Sequence, residues 1–126
     1  MLTERRNRLS LAQILCLGLA AGVLVRLFVI GTPTMVAPWD KVAHFALYAL
    51  AAALFVIGTG KHMPFAVAAA VIAVGAGDEL HRMLLRGHEP DALNFLADAS
   101  GALIACAVIA LQKTERRASC AESSAR

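Results

Sequence analysis

Three short polar segments carry the side chains of this chain that are best suited to chemistry: residues 40–44, 78–82 and 94–98. Each segment lies at the edge of a long apolar run, and together they supply two histidines and four carboxylates. Imidazole and carboxyl groups act as general acids and bases in enzymes, and both also bind zinc. If the segments meet in the folded chain, they form a candidate functional site.

Helical spacing groups these side chains further. Residues four apart lie on one side of an α-helix, which places His44 beside Asp40 and Asp98 beside Asn94. The candidate catalytic residues of a predicted acid–base site are His44, Glu79, His81 and Asp98. The residues predicted to bind a ligand or to support that site are Asp40, Lys41, Asp78, Arg82, His88, Asn94, Gly101 and Arg26.

The composition indicates a membrane protein. Hydrophobic residues make up 59% of the 126 residues and charged residues 17%, whereas soluble domains have about 45–50% and about 25%. A soluble chain this short could not bury so much apolar surface in a core. The net charge of +3 does not indicate nucleic-acid binding, because the basic residues gather at the two ends of the chain. The three cysteines show no disulfide framework.

Four apolar runs predict four membrane-spanning helices, at about residues 9–30, 42–57, 64–80 and 92–111. The first is expected to be a retained anchor, because it is too long for a signal peptide and no small-residue cleavage site follows it. Residues 1–8 form a basic tail and residues 112–126 a polar, partly disordered one. Asp40 is expected to cap the second helix. The predicted fold class is all-α, a four-helix transmembrane bundle.

The distribution of lysine and arginine predicts the orientation of the bundle. With the N-terminus inside, the basic residues on the cytoplasmic side are Arg5, Arg6, Arg8, Lys61, Lys113, Arg116, Arg117 and Arg126, and those outside are Lys41, Arg82 and Arg86. Cytoplasmic loops are normally the richer ones, so both termini are expected in the cytoplasm. All three polar segments then reach the outer face, in one layer roughly 3–10 Å below the helix ends.

The polar layer also has a purely structural interpretation. Asp78 and Arg82 are spaced for an ion pair within one helix, and His44 and Asp98 could form a hydrogen bond between helices that fixes their packing. Charged groups inside a membrane are costly, so they either pair with one another or line a functional site. On this interpretation the chain is a noncatalytic scaffold or a partner subunit.

Two further interpretations remain open. A zinc site would use His44, His81 and a carboxylate, but their spacing matches no metal-binding signature such as His-Glu-x-x-His. We therefore predict no cofactor, with zinc as the alternative. A proton-linked transporter would use Asp98 and a histidine as a relay, yet residues 102–111 include only Cys106 as a weakly polar side chain.

The expected partners are the lipid bilayer and a second copy of the chain. Gly18 and Gly22 are spaced for close contact between helices, and they predict a homo-oligomer that forms through the first helix. No feature of the sequence predicts binding to nucleic acid.

The polar segments resemble motifs of the VanZ-like family of small bacterial membrane proteins. Residues 40–48 resemble the family's Asp-Lys-x-x-His-Phe-x-x-Tyr opening of a helix, and residues 78–81 resemble its Asp-Glu-x-His-Gln segment. Asp98 and Gly101 fall where the family has Asp-x-x-Gly, so the resemblance covers residues 40–105. The chain departs from the pattern at Arg82 in place of glutamine, at Asn94 in place of aspartate, and at His88 in place of the arginine of a Pro-Gly-Arg turn.

The resemblance implies an integral protein of the bacterial inner membrane. From the family's name-giving member it also implies a role in resistance to glycopeptides such as teicoplanin, through a polar site that acts on, or binds, a cell-envelope lipid or a peptidoglycan precursor. The resemblance implies no particular reaction, so the site is left open between catalysis and binding.

Overall fold

In the computed structural model, which describes residues 9–30 and 35–125, the chain folds into four α-helices. They are α1 (Leu11–Ile30), α2 (Trp39–Gly58), α3 (Pro64–Arg86) and α4 (Ala92–Ser124). All four are long and apolar enough to cross a membrane, and the described part of the chain contains no strand. The predicted all-α fold with four candidate spans is confirmed. The predicted basic tail, residues 1–8, lies outside the described residues.

The helices run alternately up and down. Arg86 at the end of α3 donates a hydrogen bond to the carbonyl of Val29 at the end of α1, at 3.3 Å, and Lys41 near the start of α2 pairs with Asp91 just before α4. We call this end of the bundle the polar end, and the opposite end, where α2 ends and α3 begins, the basic end. α2 and α4 form the centre, α1 packs mainly against α2, and α3 packs mainly against α4.

Small side chains allow α2 and α4 to lie close together. The buried small residues of these two helices are Ala51, Ala52, Gly58, Gly101, Ala102 and Cys106. The larger apolar side chains mostly point outward. Of the 18-residue apolar segment of each helix, only 11% is buried in α1 and 33% in α2. Such an exposed apolar surface fits a lipid environment better than water.

Local sequence signals explain several helix ends. Ser10 and Gln13 form a capping box before α1: the Gln13 amide N–H donates to the Ser10 hydroxyl at 3.2 Å, and the Ser10 N–H donates to the Gln13 side chain at 2.9 Å. Pro64 occupies the first turn of α3, where its missing N–H costs nothing. Gly87 ends α3 in the left-handed conformation, with φ of 63°, which favours glycine.

The start of α2 differs from the prediction. The helix begins at Trp39 rather than at residue 42, and the residue in the N-cap position is Pro38. The predicted cap, Asp40, is wrong: it lies within the first turn and its carboxylate accepts a hydrogen bond from Lys41 at 2.8 Å. The Pro38 carbonyl already accepts the first helical N–H groups, so the helix starts one turn earlier.

Two helices extend beyond their predicted ends. α3 continues past Leu80 to Arg86, because the intervening residues are good helix formers and Gly87 is the first stop signal. α4 continues past Leu111 to Ser124, where the sequence had predicted a partly disordered tail. Alanine, lysine, arginine and glutamate dominate this extension, which contains neither glycine nor proline. It adds about 20 Å of helix beyond the apolar run.

Candidate functional site

The three polar segments meet at the polar end of the bundle. We call the resulting cluster the polar layer; its members are Asp40, Lys41, His44, Tyr48, Asp78, Glu79, Arg82, Asp91, Asn94 and Asp98. They come from α2, α3, α4 and the residue preceding α4. Its centre lies roughly 8–12 Å from the helix ends, at 1.5 Å per residue. The convergence predicted from the sequence is therefore present on three of the four helices.

The centre of the layer is a hydrogen bond between α2 and α4. His44 Nδ1 lies 2.8 Å from Asp98 Oδ1, and the two residues are only 2% and 3% exposed. An ionised carboxylate only accepts hydrogen bonds, so Nδ1–H is the donor when Asp98 is charged. The ring of Tyr48 lies one turn deeper, parallel to the imidazole with 6.5 Å between ring centroids. The hydrogen bond to Asp98 is therefore the contact that orients the imidazole.

α3 contributes a second buried pair. Arg82 Nη2 lies 2.8 Å from Asp78 Oδ2, one helical turn away, and Asp78 is close enough to His44 to interact with it electrostatically. Gly75 lets α3 approach, because a Cβ there would lie 3.2 Å from the Tyr48 ring and 3.4 Å from the Asp98 carboxylate. The predicted ion pair within α3 is thus formed beside the interhelical one.

Lys41 and Asp91 close the layer at its outer rim. The Lys41 ammonium forms ion pairs with Asp40 and Asp91, and the Asp91 N–H donates to Glu79 Oε1 at 2.7 Å. Asp91 also caps α4, because its carboxylate accepts from the Leu93 N–H at 2.9 Å. One residue therefore connects the polar ends of α2, α3 and α4. Sequence reasoning missed Asp91, although an aspartate directly before a helix is a capping signal.

We expect the stability contributed by the Lys41–Asp91 pair to depend on pH. Hydrogen bonding to the Lys41 ammonium, together with the Leu93 N–H, holds the pKa of Asp91 below its ordinary value. A lowered pKa stabilises the fold above the ordinary carboxyl pKa of about 4, and this stability is lost as the pH falls through the lowered pKa. Because the pair is partly exposed, Asp91→Asn should cost at most about 1 kcal/mol at neutral pH and nothing under acidic conditions.

Two variants separate the charge of Asp91 from its capping role. Asparagine is a good N-cap, so Asp91→Asn removes the charge alone, whereas Asp91→Ala should lose about 1 kcal/mol more at every pH. Thermal unfolding in detergent at pH 7 and pH 3 measures both. If Asp91→Asn were as destabilising at pH 3 as at pH 7, the ion pair would not be the source of the effect.

The structure does not bring all predicted site residues together. His81 packs on the Phe28 ring of α1, with ring centroids 4.6 Å apart, and His88 is exposed in the loop before α4. Arg26 lies on the exposed side of α1. Of the four candidate catalytic residues, only His44 and Asp98 bond directly to each other. Their assignment as catalytic stays a prediction.

The remaining predicted residues have defined positions. Gly101 lies where α4 meets the α2 backbone, and a Cβ there would overlap the Phe45 carbonyl. Asn94 is half-buried on the same side of α4 as Asp98. A Cβ at Gly18 or Gly22 would meet nothing within 4 Å, so both stand open on α1. The predicted homo-oligomer contact through these glycines stays a prediction.

Three buried oxygen atoms of the layer lack a hydrogen-bond partner. They are Asp40 Oδ1, the Tyr48 hydroxyl and Asn94 Oδ1, and none finds a donor or acceptor among residues 9–30 and 35–125. Tyr48 is completely buried, and leaving such a hydroxyl unbonded costs about 1–3 kcal/mol. Native cores normally satisfy their polar atoms. These oxygens are thus positioned for groups beyond the described side chains.

Two alternative interpretations gain no support from the arrangement. Within the described residues, no group of three or more His, Cys, Asp or Glu side chains is placed to hold a metal ion. Towards the basic end, the buried core beyond Tyr48 is apolar and includes Ala52, Val56, Ala68, Val71, Ala102 and Cys106. The polar layer is therefore confined to one end of the described bundle, whereas a proton relay would need polar groups through the membrane.

Comparison of the chain with protein-family models, with curated proteins and with solved structures found no match.

Proposed function

We propose that this chain is a multi-pass protein of the bacterial inner membrane, of VanZ-like type, whose polar layer binds the polar headgroup of a cell-envelope lipid or a lipid-linked peptidoglycan precursor. The motif resemblance of residues 40–105 and the four apolar helices support this proposal. The layer would open to the outer side, since eight of the eleven lysines and arginines considered in the orientation count belong to the opposite side.

The observation that carries the proposal is the set of unbonded oxygens in the layer. A polar core retained only for packing would satisfy its own groups, because an incomplete buried network is less stable than an apolar core. The Tyr48 hydroxyl, Asp40 Oδ1 and Asn94 Oδ1 instead make no hydrogen bond to the described residues, and because they are buried, a group that bonds to them must enter the layer. A headgroup that carries hydroxyl or amide groups supplies the donors that Asp40 Oδ1 and Asn94 Oδ1 need and a donor or acceptor for the Tyr48 hydroxyl.

The charged pairs suit the same role. Lys41 and Arg82 are already paired with carboxylates of the layer, which contains five carboxyl groups against these two cations, so the layer suits the hydroxyl, amide or amine groups of a headgroup better than its phosphate. Asp98 orients the His44 imidazole through Nδ1, which leaves Nε2 as the proton acceptor of the neutral ring. A histidine held in this way can act as a general base. The proposal therefore accommodates either binding alone or acid–base chemistry on the bound lipid.

Tyr48→Phe tests the proposal, because it removes one oxygen atom that makes no hydrogen bond within the described bundle. If the hydroxyl serves a ligand, the variant should accumulate in the membrane like the wild type and be as stable or more stable, yet lose function. The measurement is the teicoplanin susceptibility of a susceptible bacterial host that expresses the chain, together with the amount of protein in its membrane fraction. Wild type should raise resistance, and Tyr48→Phe should not.

Ser100→Ala is the matched control. It also removes one hydroxyl, but that of Ser100 donates to the Ala97 carbonyl at 3.0 Å within α4, so resistance should stay at the wild-type level. The scaffold alternative predicts that Tyr48→Phe leaves function intact and that His44→Gln and Glu79→Gln lose function only in proportion to lost protein. Either that pattern, or a wild-type chain without any effect on susceptibility, would contradict the proposal.

A further inference from the structure

A cleft lies at the basic end of the bundle, far from the polar layer. It is formed by the extension of α4 beyond Leu111 and by the loop between α2 and α3, and its volume is about 330 Å³. The described side chains that line it are Lys61, Gln112, Lys113, Arg116, Arg117 and Cys120. Four of these six residues are cationic and none is acidic, while the wall of the cleft is almost entirely apolar. The cleft is therefore suited to an amphiphilic anion, with its apolar part against the wall and its charge beside the cations.

The loop side of the cleft is held in place by backbone hydrogen bonds. Gly60 and Lys61 both have positive φ, at 72° and 61°, and the Lys61 N–H donates to the Val56 carbonyl at 2.8 Å. Lys113 of α4 donates to the Lys61 carbonyl at 2.7 Å. This bond ties the loop to the α4 extension, so the walls of the cleft are in fixed positions relative to each other.

The helix side presents its cations on one face. Lys113, Arg116, Arg117 and Cys120 follow the i, i+3, i+4, i+7 spacing of a single helical stripe. No ion pair joins Lys61, Arg116 or Arg117 to a carboxylate within the described ranges. Their charges therefore add, and arginine can donate two parallel hydrogen bonds to a phosphate.

The position of the cleft along α4 places it at the level of the lipid headgroups. It adjoins the point where α4 leaves its apolar run at Leu111, and the exposed apolar side chains near it include Met63, Phe65 and Leu111. These side chains face lipid in a membrane-spanning bundle, while the cations stand just beyond them at headgroup level. A basic cleft at this depth is the kind of site that holds anionic headgroups.

We propose that this cleft binds the phosphate of an anionic membrane phospholipid, with Lys61, Arg116 and Arg117 around the phosphate and the acyl chains on the apolar surface beside Leu111. The inference is independent of the proposed function of the polar layer. It also gives the helical extension of α4 a role, since Arg116 and Arg117 reach the cleft only because the helix continues.

Cys120 provides a local measurement, because it lines the cleft and is exposed. In the full chain with Cys16→Ala, purified in detergent, phosphatidylglycerol should slow modification of Cys120 by a thiol reagent, and zwitterionic phosphatidylcholine should not. Arg116→Gln/Arg117→Gln should weaken this protection about 25-fold, roughly fivefold for each charge lost. The buried Cys106 should stay unreactive, which confirms that the variant is folded.

Arg26→Gln/Arg86→Gln is the control, because it removes the same charge from the chain at two described residues that do not line the cleft. The phosphatidylglycerol concentration that gives half of the maximal slowing of Cys120 modification should be the same for this variant as for the wild type. Equal weakening by both double variants would show general surface attraction and overturn the proposal. Equal protection by phosphatidylcholine would overturn it as well. Protection by inorganic phosphate at the same concentration would show a site for free phosphate instead of lipid.

Discussion

Gly101→Ala is expected to force α2 and α4 apart and to destabilise the bundle by about 3 kcal/mol, the upper end of the usual cost of overpacking. The added Cβ would overlap the Phe45 carbonyl oxygen and lie 3.3 Å from the Ala49 nitrogen. These are backbone atoms of a helix, so no rotamer change can relieve the contact. Heating in detergent with a fluorogenic thiol reagent measures the effect, because unfolding exposes the buried Cys106. Cys16→Ala and Cys120→Ser remove the other two thiols.

Two other glycines provide a graded control for this experiment. A Cβ at Gly18 meets nothing within 4 Å, so Gly18→Ala should leave the midpoint unchanged or raise it slightly, since alanine is the better helix former. At Gly58 the added Cβ would lie 2.6 Å from Leu17 Cγ and 3.2 Å from the Leu17 backbone nitrogen. The side chain can rotate, and the backbone contact needs a smaller shift than the overlap with the Phe45 carbonyl at Gly101. Gly58→Ala should fall between the other two. If all three variants melted alike, the close contact of α2 and α4 would not limit stability.

The number and type of helices could be predicted because apolar run length directly reflects the thickness of a membrane. The meeting of His44 and Asp98 could be predicted for a similar reason, since both lie at similar depth on helices that start at the same end. Helix ends were less predictable. Pro38 and Gly87 mark where α2 begins and α3 ends, and both lie beyond the edges of the apolar runs that predict these helices.

The neighbour that each polar side chain contacts could not be predicted from the sequence. His81 lies in the same helical turn as Asp78, yet it faces Phe28 of α1, while Glu79 reaches Asp91 before α4. Which helix flanks which face of α3 depends on packing across the whole bundle, and a single sequence does not define that packing. Gly75 was missed although a glycine inside a helical run often marks close packing; its neighbours Tyr48 and Asp98 come from distant segments.

His44→Phe is expected to destabilise the bundle by about 3–5 kcal/mol, because it leaves the buried Asp98 carboxylate without its hydrogen-bonded partner. Phenylalanine can still stack on Tyr48, so little packing is lost. Asp98→Leu leaves a buried imidazole N–H unbonded and should cost about 1–3 kcal/mol. The double variant His44→Phe/Asp98→Leu removes both polar groups at once. It should lose much less stability than the sum of the losses in the two single variants. Thermal unfolding followed through Cys106 gives all three values.

The same double-mutant cycle on Lys41 and Asp91 is the control, since that pair is partly exposed and its coupling should be much smaller than that of His44 and Asp98. Additive losses at His44 and Asp98 would contradict the interpretation of their contact as a coupled buried pair. The cycle also bears on why the polar layer exists. An apolar double variant that is as stable as the wild type yet confers no teicoplanin resistance would show that folding does not need His44 and Asp98. Their presence in the centre of the layer would then be explained by function and not by folding.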